Sequence, residues 1–222
     1  MEKVFLACDS SDEEVREAAL NTLQEVGSLQ YDSVEVYFKQ ICLVTAAAAK
    51  SESDKVGAQA FEFWTTLAED EQNRKVKGMP SKNYMATCQT DLLQLIFEGL
   101  LKINFEEDED DDEWGHALSA ACCLQRLSVL LGNDVMDPVV TYVAQYIQSQ
   151  NWKEKYAALM ALGSITDGPD KQKFAMVIVQ ALQNLLAMFN DQNGKVREAI
   201  SWVMSRISEH HAEVLLNQQI IS

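Results

Sequence analysis

The chain has 222 residues, 47% of them apolar, and carries 34 acidic against 18 basic side chains, for a formal net charge of -16. That is enough apolar material for a sizeable core, and a charge that disfavours nucleic acid and anionic lipid and favours a basic partner. Five cysteines with no CxxC or Cys–His spacing exclude a disulfide framework and a zinc site and fit a reducing compartment, cytosol or nucleus. No signal peptide is visible, and no run of eighteen apolar residues could cross a membrane.

In chain order, a recurrent pattern appears. Asp12-Glu-Glu-Val15-Arg16-Glu-Ala18-Ala19, Asp54-Lys-Val56-Gly-Ala-Gln-Ala60, Asn151-Trp152-Lys-Glu-Lys155-Tyr-Ala157-Ala158 and Asp191-Gln-Asn-Gly-Lys-Val196-Arg197-Glu-Ala199-Ile200 are copies of one helix opening, and Ala120-Ala121 marks a degenerate fifth. Anchored near 15, 56, 117, 154 and 196, the copies are spaced by 41, 61, 37 and 42 residues. The long interval holds the Lys75–Lys82 linker and an acidic run. Each copy places small residues early and large apolar ones later, as in Ala58, Ala60, Phe61, Trp64 and Leu67. The Asp or Asn that opens it predicts the N-cap. Between copies the spacing predicts further helices over 31–49, 83–104, 134–149 and 171–189. The last is amphipathic through Phe174, Val177, Ile178, Leu182 and Leu185. Asp167-Gly168-Pro169-Asp170 breaks one helix from the next, and no alternating run calls for a strand.

Paired antiparallel helices at a period near 40 predict an all-α solenoid of HEAT or armadillo type, in which each unit buries its faces on its neighbours. The expected units are a second helix over 1–28, repeats over 29–72, 73–132, 133–167 and 168–209, and the start of another over 210–222. Both ends therefore look cut, as in a middle segment of a longer array.

Within the long interval, Glu106, Glu107, Asp108, Glu109, Asp110, Asp111, Asp112 and Glu113 run into Trp114. Eight like charges repel too strongly to be buried or to form an unaided helix, which predicts a solvated loop able to steer basic partners in a salt-sensitive way. Calcium is a poor fit. Asp108-x-Asp110-x-Asp112 opens like an EF-hand loop, but Glu113 stands at the glycine position and Ser119 at the final glutamate position.

These pieces resemble the importin-beta (karyopherin-beta) family of nuclear transport receptors. The resemblance rests on Phe61-Glu-Phe-Trp64 before Ala68-Glu-Asp-Glu71, the acidic run ending in Trp114, and Asn151-Trp152. It continues through Ala158-Leu-Met-Ala161-Leu-Gly163-Ser-Ile165-Thr-Asp-Gly168-Pro169 and Ala199-Ile-Ser-Trp202 with Ser205-Arg206-Ile207, in the family's order. It implies a right-handed superhelix that binds, on a concave face, the basic importin-alpha adaptor segment or cargo signals and Ran-GTP, and that moves between cytoplasm and nucleus through the nuclear pore. The family's acidic loop, which meets Ran, falls on Glu106–Glu113 and Trp114. Its Phe-Gly nucleoporin grooves on outer helices fall on Tyr37 and on Thr45, where the family has an aliphatic residue. Trp64 with Glu69, Asp70 and Glu71, and with them Trp152 and Trp202, are the candidates for stacking on a partner's Arg or Lys at the concave face, although core packing is the default for a helical tryptophan. Gly115-His116 and the short, basic Arg74–Ser81 linker depart from the family.

Catalysis has no support. His116, His210 and His211 pair with no nucleophile motif, no glycine-rich phosphate loop is present, and His210-His211 reads as a solvated turn. No cofactor and no metal are expected, and a monomer is. A generic HEAT scaffold remains the alternative from the same class, and a metal-dependent hydrolase built on the acidic run the alternative from another.

Overall fold

The computed structural model describes residues 1–103 and 115–216. The acidic run and Trp114 lie outside the described residues. Among the described residues every regular element is helical: α1 (Glu2–Cys8), α2 (Glu13–Leu29), α3 (Val34–Ala49), α4 (Asp54–Lys77), α5 (Tyr84–Leu100), α6 (His116–Leu131), α7 (Met136–Tyr146), α8 (Trp152–Ser164), α9 (Lys171–Ala187), α10 (Gly194–His210) and α11 (Ala212–Leu216), with 3-10 turns at Tyr31–Ser33, Gly132–Val135 and Met188–Asn190. No described helix is long and apolar enough to cross a membrane. Residues 1–28 thus hold two helices where one was expected.

The chain divides into two compact units, Met1–Leu130 and Leu131–Ser222. In the first, α1 packs on α2, α3 on α4, and α2 runs along α4. Leu20, Leu23, Ile41, Val56, Phe61, Phe63, Leu67, Leu92 and Ile96 are buried between them. In the second, α7 packs on α8 and α8 runs along α10, around Leu159, Leu162, Ile178, Leu182, Val196, Ile200 and Val203. Sequence-adjacent helices therefore pair, and helices opened by the repeated motif line up with one another. Burial of a helix stripe on two neighbours, rather than intrinsic propensity, holds such short helices.

The repeated motif has a physical function at each turn. Arg16 Nη1 donates to the Ser10 and Ser11 carbonyls at 2.8 and 3.1 Å, and Arg197 Nη1 repeats this at Asp191 and Gln192 at 2.8 and 3.1 Å. Asp12 and Asn151 are the N-caps expected, accepting from the amides of Glu14 and Lys153. At the other two copies the cap shifts. Ser53, in extended backbone, caps α4 through Val56 N, and Asn193 caps α10 through Lys195 N. Asp191 is drawn away by Lys155, whose ammonium hydrogen-bonds it and lowers its carboxyl pKa.

Side-chain size sets how closely the helices approach. At Gly163 of α8 a Cβ would lie 2.1 Å from the Trp202 ring, so α10 lays its indole directly on the α8 backbone. The chain does not treat His210-His211 as a solvated turn. His211 is buried against Phe174, with Nε2 2.9 Å from the Thr166 carbonyl, and fastens the end of α10 to the end of α8.

Candidate functional site

The expected constellation of Trp64, Glu69, Asp70 and Glu71 is taken apart by helix geometry. Glu69, Asp70 and Glu71 sit on consecutive positions of α4, so their side chains turn by a little over a quarter circle each, and Trp64 lies about two turns before Glu71 on the same face. Trp64 is only 3% exposed. Its Nε1 donates to Thr45 Oγ1 at 3.1 Å, and Phe38 and Phe63 stand edge-on to the ring at 6.2 and 5.1 Å. It cannot offer a free face to a partner's cation.

Glu71, 3% exposed, points inward as well. Its carboxylate accepts from Tyr31 Oη at 2.8 Å, Tyr84 N at 2.7 Å and Met85 N at 3.3 Å, with Ser81 Oγ at 3.3 Å. Asn83, which precedes α5 in left-handed backbone, makes no side-chain cap. Glu71 therefore caps α5 from another helix, filling the orphan amides with a full negative charge at the positive end of the dipole. Tyr31 Oη also accepts from Lys82 N at 2.8 Å, and Arg74 lies 3.7 Å over the Tyr31 ring while donating to Asp70 and to the Pro80 carbonyl. The linker 78–83 is thus clasped to α4. Burial pushes the Tyr31 phenol up to about 12, so it stays a donor.

Glu69 is the one acid of the three left half-exposed, and it forms an ion pair with Arg126 of α6, Oε1 to Nε 2.8 Å. In the second unit Trp152 and Trp202 are half-buried, one at the start of α8 and one on α10 against Gly163.

Two grooves flank α3. One, about 290 Å³, lies between α3 and α5 and is lined by Cys42, Leu43, Ala46, Leu92 and Leu95, with Trp64 among its walls. Lys50, Asp91 and Gln94 stand at its polar part. The other, about 200 Å³, is more apolar and is formed by Leu23, Val26, Val34, Tyr37 and Ile41 near Met1. Tyr37, 36% exposed and tilted on Phe5 at 5.9 Å, lines this second groove. Thr45 lines neither, because its hydroxyl faces inward, donating to the Ile41 carbonyl and holding the Trp64 indole. The two expected groove residues therefore do not share a pocket. Sequence reasoning missed the α3–α5 groove, although Leu43 and Leu95, apolar residues on the two helices that line it, were available as its signal. Burial raises the thiols of Cys42 and Cys88 beside it, the latter to about 12, so neither is a nucleophile at neutral pH.

Two anchors bracket the acidic run. Lys102 Nζ donates to the carbonyls of Ala49 and Ser51 at 3.2 and 2.6 Å, crossing back to the end of α3. His116, 1% exposed, stacks edge-on to Phe61 at 5.4 Å and sits where a Cβ on Gly57 would be, 1.9 Å from its Nδ1. Burial lowers its pKa to about 4, with the Lys102 charge acting in the same direction, so the imidazole is neutral. Lys102 and His116, described residues before and after the acidic run, therefore both pack near the α3–α4 turn.

Helix pairs in series, a repeated opening motif and grooves between neighbouring helices define a helical-repeat protein of the HEAT type. No family model matches the chain. Importin subunit beta-1 of Saccharomyces cerevisiae is 35% identical over 227 residues, covering 99% of this chain and 26% of that protein. The Schizosaccharomyces pombe protein of the same name is 28% identical, covering 97% and 26%. Yeast importin-beta (Kap95p) superposes with a TM-score of 0.92 at 35% identity over 98% of this chain and 26% of its own, and Kap95 in complex with Nup1 at 0.91. By sequence and by fold, the chain is homologous to importin-beta over nearly its whole length. It spans about a quarter of the length of these relatives, which are not enzymes.

Proposed function

We propose that the chain is a binding segment of a nuclear import receptor, with two functional faces. On the outer helices, the grooves beside α3 take the aromatic side chains of Phe-Gly nucleoporin repeats, Tyr37 in one and the Trp64-walled pocket in the other. On the helices opened by the repeated motif, together with Glu106–Glu113 and Trp114, the chain takes basic partners: an importin-alpha adaptor segment or cargo signal, and Ran-GTP. Glu69, Trp152 and Trp202 are the remaining candidates for that second face. Such a protein works by differential binding as a monomer between cytoplasm, nucleus and pore, one ligand biasing the affinity for another.

The single observation that carries this reading is the pair of apolar clefts on either side of α3, of about 290 and 200 Å³. Each is a small concave site in which an aromatic ring could bury most of its surface. Among similar structures are Kap95 with Nup1 and Kap95p from work on its binding to RanGDP, the latter with a TM-score of 0.92 and 34% identity; both support the assignment of partners.

The test titrates the chain with a Phe-Gly repeat peptide and, separately, an Arg/Lys-rich peptide, each at low and high salt. The first should bind independently of salt and weaken with Tyr37→Ala, while the second is salt-sensitive and insensitive to Tyr37→Ala. Equal loss of both peptides would make Tyr37 a core residue, and binding of neither would favour a generic scaffold. A large rise in thermal stability with added magnesium or calcium would favour the metal-dependent reading.

A further inference from the structure

One cleft of the first unit belongs to neither groove beside α3. It is formed by Ala68, Glu69, Gln72 and Asn73 on α4 and by Arg126 and Val129 on α6, and holds about 200 Å³. Two of its features are unusual together. Its only carboxylate, Glu69, is already occupied by Arg126 at 2.8 Å, across two helices, with both side chains about half-exposed. Beside it, Gln72 Oε1 is buried without any hydrogen-bond partner, although a buried carbonyl oxygen normally finds a donor. The cleft thus offers two acceptors, one charged and one amide, while its own chain supplies a single guanidinium that reaches the first and leaves the second empty.

We propose that this cleft is a receptor for one cationic side chain of a basic partner, and that Arg126 is its internal placeholder. The entering ammonium or guanidinium takes Glu69 and donates to Gln72 Oε1, and Arg126 swings out into solvent. The class of partner follows from the acceptors and from the net charge of -16, which raises the local concentration of cations. An Arg fits better than a Lys, because its planar fork can reach a carboxylate and an amide oxygen at once. The placeholder has a cost and a use. Exchange of one exposed ion pair for another gives little net affinity, which keeps single cations from occupying the site, while Gln72 adds an acceptor that Arg126 leaves unused. This assignment rests on the proposed binding of basic partners and adds to it a built-in competitor.

The discriminating variant is Arg126→Gln, measured on the whole 222-residue chain by fluorescence anisotropy with a labelled Arg-rich peptide at low and at physiological salt. Removing the placeholder should tighten binding by about two- to five-fold, the size of one exposed ion pair. Glu69→Gln should weaken binding, and in the Glu69→Gln background Arg126→Gln should gain no more than the charge control Lys39→Gln. Lys39→Gln, an exposed residue of α3 that changes net charge equally, controls for long-range electrostatics and should give a smaller gain. Binding by Arg126→Gln alone, with none by the unmodified chain, also supports the placeholder. An Arg126→Gln variant that binds more weakly, or no better than Lys39→Gln, overturns the placeholder while leaving basic-partner binding in place. Absence of binding by every variant overturns both. A Lys-rich peptide that gains as much as the Arg-rich one removes the preference for a guanidinium.

Discussion

Glu71 separates a structural carboxylate from a partner-binding one, and its replacement has a computable consequence. In Glu71→Ala the amides of Tyr84 and Met85, which donate to the carboxylate at 2.7 and 3.3 Å, keep no acceptor at the start of α5. Tyr31 Oη loses its 2.8 Å acceptor but keeps Ser81 and the Lys82 amide. Two orphaned buried donors at about 1–3 kcal/mol each, less partial rescue by water at the vacated site, give about 1–4 kcal/mol of destabilisation. Against a typical domain stability of about 5–15 kcal/mol this is a large share. With a urea slope of about 2 kcal/mol/M, the midpoint of the first unit should fall by about 0.5–2 M with its slope unchanged. Glu71→Gln keeps one acceptor oxygen and turns an amide NH2 toward the donors, so it should lie between the two. The assay is urea unfolding followed by circular dichroism, with hydrogen exchange of the α5 amides to isolate the first unit from the second. A midpoint shift below about 0.5 M, accompanied by weaker binding of a basic peptide, would refute the capping assignment and return Glu71 to the partner-facing acids.

Two further expectations follow from buried groups. His116 is neutral in the fold with a pKa lowered to about 4, whereas the unfolded chain protonates near its ordinary value of about 6.5. The unfolded state therefore binds the proton first, and the stability that His116 contributes is complete above about pH 6.5 and lost as the pH falls toward 4, by up to about 3 kcal/mol. The difference in unfolding free energy between the parent and His116→Leu, measured from pH 7.5 to 4, should change across that window. A flat difference would mean that the imidazole is solvated. Gly163→Ala forces a methyl group into the Trp202 ring, which lies 2.1 Å from the ideal Cβ position. It should destabilise the second unit by about 1–3 kcal/mol and shift the tryptophan emission, and an unchanged melting temperature would show that α8 and α10 do not meet there.

Much of this protein is local, and local features are readable along the chain. Helix existence, the period near 40 and the break at Asp167–Asp170 follow from spacing, small residues and turn chemistry, because helices are built from contacts within a few positions. Charge is legible for the same reason: the octet Glu106–Glu113 carries half the magnitude of the net charge of -16, whatever surrounds it. What escaped was direction. Glu69, Asp70 and Glu71 are equivalent as letters, yet about 100° of rotation per residue sends one to a cleft, one to Arg74 and one into the core. Trp64 and Thr45 looked like surface candidates for two different faces, and their mutual hydrogen bond joins them beneath a groove. The buried His116 and His211 and the α5 cap from Glu71 all depend on partners remote in the chain. Sequence spacing carries no information on those distances, so pairing across helices, and with it which polar groups remain free to bind, is set by the packing of one helix pair on the next.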